Sequence, residues 1–194
     1  MILRKYLLTL IILWTTNSLA ESRVFVNDAK LPFYVTAPTN WIRVATGTQN
    51  SKVKFTSPEG TPAAICAVIV QFMPTLQDRS QYEFDQYMAS EPDVTAMQNQ
   101  LAASFNNVQV FNPGTRFLSG HPAQLFNVRY STGTTRGEFW ERGILFVTMT
   151  KPGMTWTISC GSLAKSPQEA NKAYSYWQDE IQRFSTNLKI IETP

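Results

Sequence analysis

The strongest constraint on the fold comes from residues 121–163, which predict three successive strands joined by short turns. Apolar and polar residues alternate along them with the period of two that is typical of a half-buried strand, and the alternation is most regular over residues 154–160. We expect a hairpin loop at residues 132–134 and a second turn at residues 151–153. The stretch therefore predicts an antiparallel meander at the centre of a sheet onto which helices pack.

A closing helix is predicted after this meander. Ser166, Pro167 and Glu169 supply an N-cap, a proline at the first helical position and the glutamate of a capping box. The apolar residues that follow recur at three- and four-residue steps and form one continuous stripe. They are Ala170, Ala173, Tyr174, Trp177, Ile181, Phe184 and Leu188. A stripe this regular indicates packing against the core, with a partner-binding groove as the alternative.

The first half of the chain is rich in predicted strands. Residues 33–37 have β-propensity and stop at Pro38, and another strand begins at residue 41. Residues 52–56 alternate with a period of two. Residues 64–73 are apolar on both faces, which favours a central strand over a helix. The N-terminal half therefore contributes further strands to the sheet.

Two helical pieces and two short strands are predicted between these halves. Ser80 and Glu83 have the spacing of a capping box, and Pro92 separates the first helical piece from the second. Strands return at residues 108–111 and 116–118, with Asn112-Pro113-Gly114 as the turn between them.

The N-terminal residues 1–20 have the pattern of a cleaved signal peptide. Basic Arg4 and Lys5 precede a short apolar run, and Ser18 and Ala20 are small residues at positions −3 and −1 of the expected cleavage site. The alternative is a retained membrane anchor, but the apolar run is well short of the ~20 residues that a spanning helix needs. We expect cleavage after Ala20, no stable membrane anchor afterwards, and a periplasmic or secreted protein.

Charge argues against a nucleic-acid partner. Cleavage would remove two of the 17 basic residues and none of the 14 acidic ones, so the mature net charge is close to +1. Nucleic-acid binders usually concentrate basic residues on one face, whereas the lysines and arginines here are scattered singly.

Cys66 and Cys160 are the only cysteines. In an oxidising compartment two thiols tend to pair, so we predict a disulfide between them. The alternative is two separate buried thiols that behave as small hydrophobes. A bridge that closes a loop of this length stabilises the fold by roughly 4–5 kcal/mol in the chain-entropy model.

These elements predict an α+β chain with a single antiparallel sheet flanked by helices, in one domain over residues 21–194. Three features resemble the PsbP-like fold: residues 33–41 match its strand, proline, turn and tryptophan opening, residues 119–123 match its turn before a central strand, and the closing helix completes the layout. The photosystem II extrinsic protein P family, periplasmic DcrB-like proteins and a small Ran-binding import factor share this fold. The resemblance implies an α/β/α sandwich and binding or assembly roles without shared catalytic residues. Unlike many bacterial members the chain has no lipobox cysteine, and its cysteine pair has no counterpart in the resemblance.

Few side chains in the sequence suggest catalysis or metal binding. His121 is the only histidine, which excludes zinc sites built on several histidines. A Ser-His-Asp hydrolase would have to use it, yet the sequence contains no Gly-x-Ser-x-Gly motif, and we interpret His121 as a turn residue. Glu138 and Glu141 could suggest the carboxylate pair of a glycosidase, but they lie three apart on a strand and so point to opposite faces. We interpret Glu141 and Arg142 as solvent-face charges or a cross-strand ion pair, and we expect no cofactor and no metal.

One segment has the composition of an interaction surface. Alternation places Trp140 on one face with Glu138 and Arg142, and Arg136 precedes them. Charged residues that flank an aromatic are common at protein interfaces. The alternative is that Trp140 lies under the flanking helix and that its charged neighbours emerge at the edges.

The leading hypothesis from the sequence is an exported, non-enzymatic accessory protein that binds another protein of the cell envelope or the exterior. A module that binds a small molecule or lipid in a pocket between sheet and helices is the first alternative. A hydrolase is the second. The identity of the partner and the oligomeric state are not determined by the sequence.

Overall fold

The computed structural model describes residues 23–26, 31–135 and 137–191. The expected signal peptide over residues 1–20 and the predicted surface residue Arg136 lie outside the described residues. The strands of the described part are β1 Arg23–Val26, β2 Phe33–Thr36, β3 Ile42–Val44, β4 Ser51–Thr56, β5 Ala64–Phe72, β6 Asn106–Leu118, β7 His121–Thr134, β8 Gly137–Thr150, β9 Met154–Ala164 and β10 Lys189–Ile190. Its α-helices are α1 Gln81–Ala89, α2 Val94–Ala102 and α3 Pro167–Thr186.

The described strands form two antiparallel sheets, whereas a single sheet was expected. The larger sheet has the order β3-β4-β5-β9-β8-β7-β6, and the smaller has the order β1-β2-β10. In the smaller sheet, β2 pairs with β1 on one side and with β10, which follows the closing helix, on the other. The smaller sheet was not predicted, because it joins strands from opposite ends of the chain. The α+β class with helices packed on antiparallel strands is as predicted.

The meander over β7, β8 and β9 lies where the sequence indicated, beside β5 in the larger sheet. The predicted hairpin loop at residues 132–134 is wrong, because these residues continue β7 and pair with β8 as far as Thr134 opposite Gly137. The chain turns after Thr134 instead. Gly137 has a φ of 111°, which side chains rarely allow, so a glycine suits the point where β8 begins.

The two strands predicted at residues 108–111 and 116–118 are one edge strand, β6. Asn112-Pro113-Gly114 forms an irregularity in its pairing with β7 rather than a turn, since the register shifts between Phe111 and Gly114. Asn112 has a positive φ of 44°. A bulge on an edge strand accommodates a proline, which cannot donate a ladder hydrogen bond.

Helices cover the two faces of the larger sheet unequally. Helix α3 packs on β9, β8 and β5, and the smaller sheet adjoins it on the same face, which we call the α3 face. Trp156, Phe33 and Phe184 are buried in the core beneath them. Helices α1 and α2 cover the other face over β6, β7 and β8, which we call the α1–α2 face. None of the helices in the described ranges has the length and apolar character needed to cross a membrane.

Local signals place α3 as predicted. The Ser166 hydroxyl accepts a hydrogen bond from the Glu169 amide at 3.3 Å, as a helix N-cap does. The apolar stripe buries Ala170, Ile181 and Phe184 against the sheet. This side of α3 is therefore core, as the sequence analysis favoured, and its polar side is left to line a groove.

The two cysteines are direct cross-strand neighbours on β5 and β9. Their sulfur atoms lie 2.00 Å apart, the distance of a disulfide bond. Both residues are buried in the core under α3. The bridge ties the meander to the N-terminal half of the sheet, and such bridges are typical of exported proteins.

Candidate binding groove beside the closing helix

A groove lies on the α3 face between α3 and strands β6, β7 and β8. It forms because α3 packs over β9 and β8 and leaves the edge of the sheet beyond them less covered. A cavity of about 490 Å³ opens there, and a second of about 470 Å³ shares Arg142 and Asn171 with it. The polar side of α3 contributes one wall. The residues of this wall are Asn171, Ser175, Gln178 and Gln182.

Arg142 lies in the middle of the groove. Its guanidinium carbon is 4.7 Å from the centre of the Phe111 ring and 4.3 Å from that of Tyr174, so two aromatic faces flank the cation. The guanidinium donates to the Asn127 Oδ1 atom at 2.9 Å and to the Gly143 carbonyl. Burial lowers the pKa of Arg142; the nearby Tyr174 opposes this effect, and the charge of Arg129 adds to it. Arg142 is therefore held by groups that carry no negative charge, and it is neither the solvent-face charge nor the ion-pair member that the sequence suggested.

Arg129 is the residue directly opposite Arg142 on β7. One of its terminal nitrogens donates to the Gln109 Oε1 atom. Its Nε is buried and has no hydrogen-bond partner. Within the described ranges, no carboxylate forms an ion pair with Arg129 or Arg142. We call the site defined by these two residues and the two cavities the arginine groove.

The predicted interaction surface is divided by the structure. Glu138, Trp140 and Arg142 lie on one face of β8 as the alternation predicts, but Arg142 belongs to the arginine groove. Glu138 is exposed and accepts a hydrogen bond from the Asn107 side chain at 3.4 Å. Trp140 is partly buried and belongs to neither hydrophobic cluster of the described core. Arg136 lies outside the described residues.

Glu141 is not the solvent-face charge or ion-pair member that the sequence suggested. It is partly buried on the α1–α2 face, and its side chain lies against the backbone of Gly161. Its cross-strand neighbour is Tyr130, with which it forms a hydrogen bond. Burial raises the pKa of the Glu141 carboxyl, although the hydrogen bond and the charge of Lys54 oppose this. Because Gly161 has no side chain, the Glu141 carboxyl can lie flat on the sheet at this point.

The sequence predicted His121 as a turn residue, but it is the first residue of β7. Its Nδ1 atom is 3.4 Å from Asp85 Oδ1 and 3.2 Å from Gln81 Nε2. Gln81 also donates to the Met149 carbonyl at 3.1 Å. These contacts connect α1 to the meander. In the part of the chain that the structure describes, no three metal-binding side chains are grouped together.

The sequence analysis missed Arg129 and the groove. Arg129 and Arg142 are 13 positions apart, and only the register of β7 against β8 makes them neighbours. The expected hairpin loop at residues 132–134 lies before the observed turn, so it implies a different register of β7 against β8. In that register Arg129 and Arg142 are not opposite each other. Arg142 itself was considered, because alternation places it on one face with Trp140 in a charged segment.

Comparisons with known proteins identify the fold. No family model matches the chain, and no curated protein matches it either. The solution structure of the cyanobacterial PsbP (CyanoP) from Synechocystis sp. PCC 6803 aligns with a TM-score of 0.54 at 13% identity, over 88% of this chain and 92% of that one. LpqN of Mycobacterium tuberculosis, described as involved in cell envelope biogenesis, aligns with a TM-score of 0.52 at 10% identity, over 88% and 90%. The chain therefore has the PsbP-like fold that its sequence predicted.

Proposed function

We propose that the protein is an exported accessory protein of the cell envelope that acts by binding another protein and catalyses no reaction. The observation that carries this proposal is the position of Trp140. It is partly exposed, lies outside the hydrophobic clusters of the described core, and shares a face with the exposed Glu138. The likeness of the fold to LpqN, an envelope-biogenesis protein, is compatible with such a role.

A partly exposed tryptophan is suited to anchor a protein contact. Tryptophan is enriched among the residues that dominate binding energy at interfaces, and polar or charged neighbours commonly surround such residues. Burial of the remaining surface of Trp140 by a partner would release water from an aromatic ring without disturbing either hydrophobic cluster.

Site-specific photocrosslinking tests the proposal. A photoreactive residue at position 138, introduced into the full chain in its native cell, should capture one reproducible envelope protein. The same residue at position 172, an exposed site on α3 outside the groove, serves as the control. Trp140→Ala should abolish capture from position 138 and leave the melting temperature within a few degrees of the wild type. Loss of an exposed aromatic elsewhere, in Tyr82→Ala, should leave capture intact. A large fall in melting temperature for Trp140→Ala would instead identify this residue as core.

A second role is favoured by the groove itself. We propose that the arginine groove binds a small molecule or lipid between the sheet and α3, since its cavity of about 490 Å³ is within the range of ligand pockets. Native mass spectrometry of the chain purified from its own compartment should detect a bound ligand. An arginine-groove variant such as Arg129→Gln should lose that ligand, and an unliganded wild-type protein would count against this role.

A further inference from the structure

The arginine groove holds two positive charges in an unfavourable arrangement. Arg129 and Arg142 face each other across β7 and β8, and like charges directly opposite each other destabilise a strand pair. The aromatic rings of Phe111 and Tyr174 compensate the charge of Arg142 in part, through cation–π contacts. The remaining partners are the neutral side chains of Asn127 and Gln109 and one backbone carbonyl.

The same two residues have unused hydrogen-bond donors. A guanidinium carries five N–H donors in a planar fork. The Arg129 Nε group is buried without a partner, although burying a polar group without a hydrogen bond costs free energy. On Arg142, each of the two terminal nitrogens donates one described hydrogen bond. An anion with several oxygen atoms would satisfy these donors and neutralise the opposed charges at the same time.

We propose that Arg129 and Arg142 bind a phosphate group, and that the rest of the ligand occupies the cavity beside α3. Two opposed guanidiniums match a phosphate monoester, which carries about −1.5 to −2 charges near neutral pH, better than they match a singly charged carboxylate. The apolar side of the cavity includes Ile144 and Phe146, which would contact an organic portion of the ligand. This inference rests on the ligand-binding role proposed for the groove and is independent of the protein contact at Trp140.

The phosphate could be carried by a soluble phosphate ester or by a phospholipid headgroup, and both present the same chemistry to the arginines. The groove is open along the edge strand β6, where Gln109 and Phe111 line the second cavity. The groove is therefore accessible to a soluble ligand and to a ligand anchored in a lipid surface. Both can be tested on the full mature chain.

The primary test is a titration followed by nuclear magnetic resonance. A ¹⁵N-labelled mature chain is titrated with inorganic phosphate and then with glycerol 3-phosphate, at constant ionic strength maintained with sodium chloride. We expect saturable shifts of the arginine Nε–Hε signals of Arg129 and Arg142, with tighter binding of the ester than of inorganic phosphate. Shifts that rise linearly without saturation, or that chloride reproduces, would overturn a specific phosphate site for soluble ligands.

Variants separate the site from general charge. Arg129→Gln should weaken phosphate binding at least tenfold, because it removes the unpartnered donor and one of the opposed charges. Arg43→Gln removes the same charge from an exposed position on β3, at the opposite edge of the sheet, and should change the affinity less than twofold. Equal weakening by both substitutions would show that only net charge matters, and the proposal would fail. The wild-type titration remains decisive if the Arg129 variant does not fold.

A vesicle arm distinguishes the sources of the phosphate. Flotation is measured with vesicles that contain phosphatidic acid and with vesicles of phosphatidylcholine alone. Binding to the phosphatidic acid vesicles that depends on Arg129, together with weak binding of soluble esters, identifies a lipid headgroup as the source. Saturable binding of glycerol 3-phosphate without flotation identifies a soluble ester. Absence of both overturns the phosphate inference, whereas a co-purified ligand that lacks phosphate would leave the ligand-binding role of the groove in place.

Discussion

Replacement of Glu141 with glutamine should stabilise the protein at neutral and alkaline pH. The Glu141 side chain is packed closely on the sheet, since a Cβ atom added to Gly161 would lie 2.9 Å from its Cγ and 3.0 Å from its Cδ. Burial raises the pKa of this carboxyl above its ordinary value of 4.5. Glutamine has nearly the same shape, can still form a hydrogen bond with Tyr130, and carries no charge to bury.

The direction of the pH dependence follows from proton linkage. Between pH 4.5 and the higher pKa of the folded state, the folded protein binds more protons at Glu141 than the unfolded protein does. The free energy of unfolding therefore falls as the pH rises through this window and is unaffected by Glu141 below it. Each unit by which the pKa is raised costs about 1.4 kcal/mol of stability above the window. Glu141→Gln removes this loss.

Urea denaturation of both proteins at pH 4, 5.5, 7 and 8.5 measures the effect. The stability difference in favour of Glu141→Gln should be smallest at pH 4, grow with pH and then level off. Glu138→Gln is the matched control, because Glu138 is exposed on the opposite face of the same strand. If Glu141→Gln were less stable than the wild type by an amount that grew as the pH rose, the ionised carboxylate would be a favourable buried charge with a lowered pKa, and the reasoning would be refuted.

Three other variants test the scaffold. Removal of the disulfide by Cys66→Ser with Cys160→Ser, whose residues are 94 apart, should lower the free energy of unfolding by roughly 4–5 kcal/mol in urea titrations. A loss below about 1 kcal/mol would contradict the chain-entropy account. Gly161→Ala should cost about 1–3 kcal/mol because its methyl group meets Glu141, and a double-mutant cycle with Glu141→Ala should recover part of this loss. Ser166→Ala removes the α3 N-cap and should lower stability by about 1 kcal/mol, measured by thermal unfolding against the exposed Ser175→Ala.

The elements that sequence predicted well depend on neighbours along the chain. The N-cap contact and the apolar stripe of α3 join residues three or four positions apart, and the alternation of β9 joins residues two positions apart. Such spacings need no knowledge of the rest of the molecule. Errors occurred where pairing with another strand overrode local turn chemistry. Residues 132–134 pair with β8 although they resemble a loop, and the Asn-Pro-Gly sequence of β6 is absorbed as a bulge.

The candidate site shows the same division. Alternation alone placed Arg142 and Trp140 on one face of a strand, where the structure has them. It assigned Glu141 to solvent, because the space that the glycines leave for its side chain depends on the neighbouring strand β9. Arg129 was not considered, because its only signal is its position opposite Arg142.

By itself, the sequence determined the α+β class, the central meander, the closing helix and the resemblance to the PsbP-like fold. The tertiary structure decided the strand register that places Arg129 opposite Arg142, and the second sheet, which pairs strands from the two ends of the chain. It also decided how far α3 covers the larger sheet, which leaves a groove above the two arginines. The physical reason is that periodicity and capping are local, whereas a site is assembled from charges and surfaces that meet only when distant strands pair.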